Sequence, residues 1–105
     1  MAQFDVYKNP SKTSQKIYPY LVDIQSPYIS ELATRIVVPL GKASYFGGKA
    51  MKGLIPEITF EDEKLLLLTP QISSIQAKKL KDPIGSLLHF RDQIINSMDY
   101  AISSI

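Results

Sequence analysis

Seven prolines, at positions 10, 19, 27, 39, 56, 70 and 83, divide the first four-fifths of this 105-residue chain into short segments. Each proline removes a backbone donor and restricts φ, which disfavours long helices in this region and favours short strands. The β-prone segments of this region predict about six strands. These segments are residues 3–8, 18–25, 35–40, 57–60, 64–69 and 74–80.

Two connections between these strands stand out in the sequence. Glu61, Asp62 and Glu63 lie between the fourth and fifth predicted strands, where they indicate a hairpin turn. The stretch from Gly41 to Gly53 contains four of the five glycines, which is typical of a long, mobile surface loop.

The pattern changes after Asp82 and predicts one amphipathic helix. Pro83 suits a first helical turn, and Ser86 is a plausible N-cap. Apolar residues then recur at helical spacing over roughly 18 residues to the chain end. They are Leu87, Ile94, Ile95, Met98, Ala101, Ile102 and Ile105. Strands followed by a terminal helix indicate a mainly β, α+β domain, with residues 1–105 forming one antiparallel sheet or small barrel against the helix.

Composition limits the function classes. The chain has no cysteine, which excludes a disulfide framework and a thiolate metal site and fits a cytoplasmic protein. The net charge is only +2, and the single basic cluster, Lys78, Lys79 and Lys81, is interpreted as a solvated strand edge. The longest aliphatic run, residues 65–68, is too short to span a membrane, and no signal peptide is expected at the N-terminus.

Titratable residues do not form a catalytic pattern. His89 is the only histidine and is expected at the surface or at an interface. Asp23 or Glu57 could form a structural ion pair with Arg35. The carboxylates at 61–63 are interpreted as a solvated turn, since consecutive strand residues point to opposite faces. We therefore expect no catalytic residue, no cofactor and no metal site, and a protein that is not an enzyme.

Several segments resemble one known family, the CcdB toxins. The motif Val-Asp-x-Gln-Ser at positions 22–26 and the motif Arg-x-x-x-Pro-Leu at positions 35–40 are similar to the second and third strands of that family. The opening strand at 3–7, the segment at 55–58 and the terminal helix ending in isoleucine follow at the family's spacing. The resemblance covers nearly the whole chain, and the stretch 41–53 matches it poorly.

This resemblance implies a fold and a set of partners. CcdB toxins are cytoplasmic homodimers with an SH3-like barrel of the CcdB/MazF type, an additional small sheet and one C-terminal helix. They bind the A subunit of DNA gyrase and poison the enzyme by trapping the cleaved-DNA state. A CcdA-like antitoxin neutralises them, and the pair represses its own operon, so the toxin would contact operator DNA only through the antitoxin.

The resemblance also implies a gyrase-binding surface at the end of the helix. Its centre would be Ser103, Ser104 and Ile105, with Ile102 beside them. Asn96 and Ser26 match supporting positions, and Tyr28 replaces a smaller apolar residue there. Ser103 and Ser104 depart from the family pattern of a bulky residue or threonine followed by glycine.

Two alternatives remain at this point. The altered tail leaves open a binding protein that keeps the CcdB fold and the antitoxin but no longer poisons gyrase. The shared barrel leaves open an mRNA endoribonuclease of the MazF type, in which Arg35 would act beside Thr34 or Ser26. The loop pattern that surrounds the MazF arginine is absent from this sequence.

Overall fold

The computed structural model describes residues 1–29, 32–47 and 53–103. It confirms a mainly β fold, in which a curled antiparallel sheet forms a half-barrel against a single C-terminal helix. The described strands follow the order β4-β5-β3-β2-β1-β7, with β6 attached to β3. Their bounds are β1 Asp5–Lys8, β2 Tyr20–Asp23, β3 Thr34–Lys42, β4 Glu57–Phe60, β5 Glu63–Leu67, β6 Ser73–Gln76 and β7 Gly85–Ser86, and the helix α1 spans Arg91–Ile102.

Strand β3 is the central strand of the sheet and pairs with three other strands. One edge pairs with β2, while the other edge pairs with β6 along its first half and with β5 along its last residues. Pro39 lies inside this strand, which is unusual because proline cannot donate to a ladder. Its carbonyl accepts from Leu68 at 3.0 Å, so its missing N–H falls on the edge where pairing with β6 has ended at Val37 and pairing with β5 begins at Leu40. The proline therefore removes no ladder bond.

The hairpin between β4 and β5 confirms the predicted turn. Phe60 pairs with Glu63, and the two residues between them, Glu61 and Asp62, have φ values of 54° and 62°. Positive φ at both central positions is the conformation of the two-residue turns that match the twist of a hairpin. The side chains of Glu61 and Asp62 are exposed, as a solvated turn requires.

The stretch from Gly41 to Gly53 is not one loop. Gly41 is buried within β3 and pairs with Leu66, and the following residues, Ala43–Phe46, form a 3₁₀ turn. A Cβ atom on Gly41 would lie 2.7 Å from the Phe46 ring and 2.8 Å from Leu68. The glycine is therefore needed for close packing rather than for a flexible connection, while residues 48–52 lie outside the described part of the chain.

The predicted helix begins later than its apolar pattern suggested. Residues 84–87 extend the sheet instead, because the N–H groups of Ile84 and Leu87 donate to the carbonyls of Val6 and Phe4 at 2.8 Å each. A 3₁₀ turn at Leu88–Phe90 then leads into α1, which has 12 residues. The Ser86 hydroxyl accepts from the Leu88 N–H at 3.2 Å, so it caps this turn and not the helix itself.

Alternation along the strands divides the core into two clusters on opposite faces of the sheet. The larger cluster fills the space between the sheet and α1, and the smaller one lies on the opposite face. The larger contains Phe4, Val6, Val22, Ile24, Val38, Leu40, Ile58, Leu65, Leu67, Leu87 and Ile94; the smaller contains Tyr7, Leu21, Val37 and Leu80. None of the described helices is long and apolar enough to cross a membrane.

Candidate functional site

The apolar side of α1 is covered by the core along most of the helix but is exposed in the last turn. Ile94 is fully buried, and Ile95 and Met98 pack partly against the main cluster. One turn further, Ala101 is exposed and 68% of Ile102 is accessible to solvent. Most of the Ile102 side chain therefore remains in water, so the last turn of the helix leaves apolar area open to contact with another molecule.

A second face of the same helix end carries polar groups. Asn96, Asp99, Tyr100 and Ser103 line a shallow depression of about 410 Å³. Their spacing of i, i+3, i+4 and i+7 places them on one face of a helix. The Asn96 amide makes no hydrogen bond to another described residue and is exposed, so its donors and acceptor are free for a partner.

Ser103 terminates the helix through a double contact with Asp99. The Ser103 backbone N–H donates to the Asp99 carbonyl at 2.9 Å, and the Ser103 hydroxyl donates to the same oxygen at 3.1 Å. The last turn contains Asp99 and no basic side chain, so the negative end of the helix dipole is not compensated. This end therefore presents negative potential beside the apolar surface of Ile102.

Tyr100 and Gly53 are in contact at the rim of this face. Gly53 has a φ of 84°, and a Cβ atom placed on it would lie 3.5 Å from Cδ2 of Tyr100. The ring of Tyr100 is nevertheless 54% exposed. Asp99 and Tyr100 were not identified from the sequence, although their spacing from Asn96 and Ser103 on the predicted helix was a usable signal.

The other expected site residues lie on the turn after β2. Gln25 anchors this turn, because its buried amide donates to the Ile29 carbonyl at 2.6 Å and accepts from the Ile36 N–H at 3.0 Å. The Ser26 hydroxyl accepts from the Tyr28 N–H at 3.2 Å. Tyr28 itself is 96% exposed, so a firmly held backbone presents a bare aromatic ring to solvent.

The predicted site residues therefore fall into two groups. Asn96 and Ser103 share the depression on α1 with Ile102 beside it, whereas Ser26 and Tyr28 do not line that depression. Ser104 and Ile105, which complete the expected site, lie outside the described residues.

The arginine of the alternative nuclease site is buried. Arg35 is 1% exposed, and its Nη2 and Nε lie 2.6 Å and 2.8 Å from Oδ2 of Asp23, which is itself fully buried. The structural ion pair is thus formed with Asp23, while Glu57 is exposed. An arginine held in this way does not reach an RNA strand beside Thr34 or Ser26. His89 is exposed as expected, with its ring centroid 4.3 Å from that of Phe90.

Comparison with known protein families agrees with the resemblance noted in the strand motifs. The family model described as CcdB protein matches residues 3–104. The match includes the turn that carries Tyr28, the buried Asp23–Arg35 pair and nearly all of the C-terminal segment. The chain therefore belongs to the CcdB family, whose members are toxins of toxin–antitoxin modules.

Proposed function

We propose that this protein binds the A subunit of DNA gyrase and traps the complex in which the DNA is cleaved. The observation that carries the proposal is the exposed end of α1 in a member of the CcdB family, where Ile102 is 68% exposed beside the depression lined by Asn96 and Ser103. Binding there would need only surface contacts, so the protein would act without making or breaking a bond of its own.

The chemistry of the helix end indicates what the gyrase surface should supply. The apolar area of Ile102 and the ring of Tyr100 favour an apolar partner surface, and the uncompensated helix end with Asp99 favours basic or N–H donor groups. Ser104 and Ile105 would extend this contact by analogy with the family. Ser103 cannot supply an aromatic ring, so Tyr100 is the aromatic group nearest to that role on this face.

A homodimer would present this surface twice. In a two-fold dimer the two helix ends can lie together and offer one symmetric surface to a symmetric target. The same arrangement could bring Ser26 and Tyr28 of one protomer toward the helix end of its partner, which would unite the two groups of site residues. We propose that the dimer acts in the cytoplasm, is neutralised by a CcdA-like antitoxin, and with it represses the operon.

The direct test is DNA cleavage by purified gyrase on supercoiled plasmid, with and without this protein. We expect linear DNA to accumulate after the enzyme is denatured, and added antitoxin to prevent it. Tyr100→Ala should reduce the yield of linear DNA. Tyr45→Ala is the matched control, because Tyr45 is also 54% exposed but lies in the turn after β3. Deletion of Ile105 should abolish trapping.

Each contrary result has a definite meaning. If the protein binds the antitoxin but neither retains the gyrase A subunit in a pull-down nor traps cleaved DNA, it is a CcdB-fold binding protein without poisoning activity. If Ile105 can be deleted with full trapping, the helix end is not the gyrase-binding surface. Cleavage of RNA by the purified protein, lost in an Arg35→Lys variant that remains folded by urea unfolding, would support the nuclease alternative instead.

A further inference from the structure

A notch lined by lysines lies on the face of the sheet opposite α1. Its volume is about 440 Å³, and it lies between the loop after β1 and the segment after β6. We call it the lysine notch; it is lined by Asn9, Pro10, Ser11, Ile75, Lys78, Lys79 and Lys81. The sequence placed these lysines on a solvated strand edge, whereas the structure arranges them around one concave surface.

The walls of the lysine notch are held firmly. Asn9 is 6% exposed, and its Nδ2 donates to the Ser14 hydroxyl at 3.0 Å and to the Tyr18 carbonyl at 2.8 Å. Its Oδ1 accepts from the Ser11 N–H at 2.9 Å. The floor is equally fixed, because Ile75 packs against the smaller core cluster. The loop after β1 that forms one wall is therefore held in place before a ligand binds, which lowers the entropic cost of binding.

The three lysines that line the notch, Lys78, Lys79 and Lys81, are all exposed. In the described part of the chain, none of them forms an ion pair with a carboxylate. Three lysines without a carboxylate partner among the described residues thus lie together on a chain whose net charge is only +2.

We propose that the lysine notch binds the phosphate backbone of duplex DNA. Lysine binds phosphate as a point charge, and three lysines line the notch. Single-stranded nucleic acid is generally held by aromatic stacking, and the notch has no aromatic lining residue. Contacts of this kind position a protein on DNA without reading sequence.

This inference rests on the proposed role in repression, departs from the expectation that the toxin contacts operator DNA only through the antitoxin, and does not depend on gyrase binding. Sequence recognition at the operator would remain with the antitoxin, while the toxin would add phosphate contacts of its own. The notch lies on the opposite face of the sheet from the helix end, so DNA bound there would leave Ile102 and Tyr100 accessible. Loss of gyrase trapping and loss of DNA binding can therefore be measured separately.

The test is the binding of the purified toxin alone to a duplex of about 30 base pairs over a range of salt concentrations. The triple variant K78Q/K79Q/K81Q should weaken binding at least about tenfold at about 50 mM salt, and the slope of log affinity against log salt should fall by about 2.7. The control variant K42Q/K64Q/R91Q removes the same charge from residues that do not line the notch. It should retain most of the affinity and slope.

Several outcomes would overturn the proposal. One is a wild-type protein that does not bind duplex DNA at low salt, and another is an equal loss in the two triple variants. Binding of a poly-glutamate peptide tests the alternative that the notch binds an acidic protein. If this peptide binds more tightly than DNA and requires Lys78, Lys79 and Lys81, the notch is a peptide site and not a DNA site.

Discussion

Thr69, in the 3₁₀ turn after β5, donates a hydrogen bond to Ser97 in the terminal helix. The two hydroxyl oxygens are 2.9 Å apart and both residues are fully buried. The Ser97 proton is already given to the Ile94 carbonyl at 2.8 Å, so Thr69 must be the donor of the pair. This polar contact joins α1 to the turn that follows β5, in addition to the apolar packing of Ile94 in the main core cluster.

The first prediction concerns this pair. Thr69→Val keeps the shape of the side chain but leaves the Ser97 oxygen without its donor, and Ser97→Ala leaves the Thr69 proton without an acceptor. Each change should lower the free energy of unfolding by about 1–3 kcal/mol. The double variant should lose less than the sum of the two. Urea unfolding measures all three values.

The exposed Ser44→Ala variant serves as the control and should change stability by less than about 0.5 kcal/mol. Strictly additive losses in the double variant would show that the two hydroxyl groups are not coupled. Antitoxin binding by the folded Thr69→Val protein would show whether the rest of the surface is intact.

The second prediction concerns the buried ion pair of Asp23 and Arg35. Asp23→Asn removes the charge that faces the guanidinium, while Oδ1 of Asp23 also accepts the Gln25 N–H at 2.9 Å. A buried charge left without its partner costs about 3–5 kcal/mol, so the variant should be strongly destabilised in thermal or urea unfolding. Because Gln25 anchors the turn that carries Tyr28, this loss should also weaken partner binding.

An exposed pair in the same sheet provides the comparison. Lys42 and Glu63 are 4.0 Å apart and their side chains are each 38% exposed. Glu63→Gln should therefore cost no more than about 1 kcal/mol, the usual range for surface pairs. Equal losses from Asp23→Asn and Glu63→Gln would contradict the structural role given to the buried pair.

Much of the fold follows from local pattern, and the exceptions have physical causes. Glu57–Phe60 and the turn after it could be predicted because alternation and turn chemistry act within a few residues. Strand β7, Gly85–Ser86, could not, because it forms only by pairing with β1, about 80 residues earlier in the chain. Because residues 85 and 86 pair with β1, α1 begins at Arg91 and not, as the sequence indicated, directly after Ser86.

The candidate site was predictable only in part for a similar reason. Helical spacing places Asn96 and Ser103 on one face, and the same rule identifies Asp99 and Tyr100 once the helix is accepted. The exposure of Ile102 is different, because it depends on where the sheet stops covering the helix. A single sequence does not indicate where the sheet stops covering the helix. The apolar spacing predicts burial equally for every isoleucine of the helix.

The third prediction concerns Tyr7, whose hydroxyl is buried and has no hydrogen-bond partner among the described residues. Tyr7→Phe removes a polar group that the fold leaves unsatisfied, so stability at neutral pH should be unchanged or higher. Burial, followed by the charge of Asp5, raises the pKa of Tyr7. The unfolded chain therefore releases this proton first, and stability falls as pH rises above about 10.

Comparing the two proteins across pH tests both parts of this argument. Wild type should lose stability more steeply than Tyr7→Phe between neutral pH and about pH 11. A clear destabilisation by Tyr7→Phe at neutral pH would show that the hydroxyl has a partner, such as a buried water.

The last prediction concerns Tyr28 and distinguishes its contribution to partner binding from its contribution to stability. The ring is 96% exposed, so Tyr28→Ala removes almost no packing and should change the free energy of unfolding by less than about 0.5 kcal/mol. If the ring is buried against gyrase, the same change should weaken binding of the gyrase A subunit by at least about 2 kcal/mol, roughly 30-fold in Kd. Calorimetry with the purified A subunit measures this difference.

Tyr28→Phe should retain most of the affinity if the ring supplies contact area, and a full loss in that variant would assign the role to the hydroxyl. Unchanged affinity in Tyr28→Ala would remove the turn after β2 from the gyrase-binding surface and leave the helix end as its only described part.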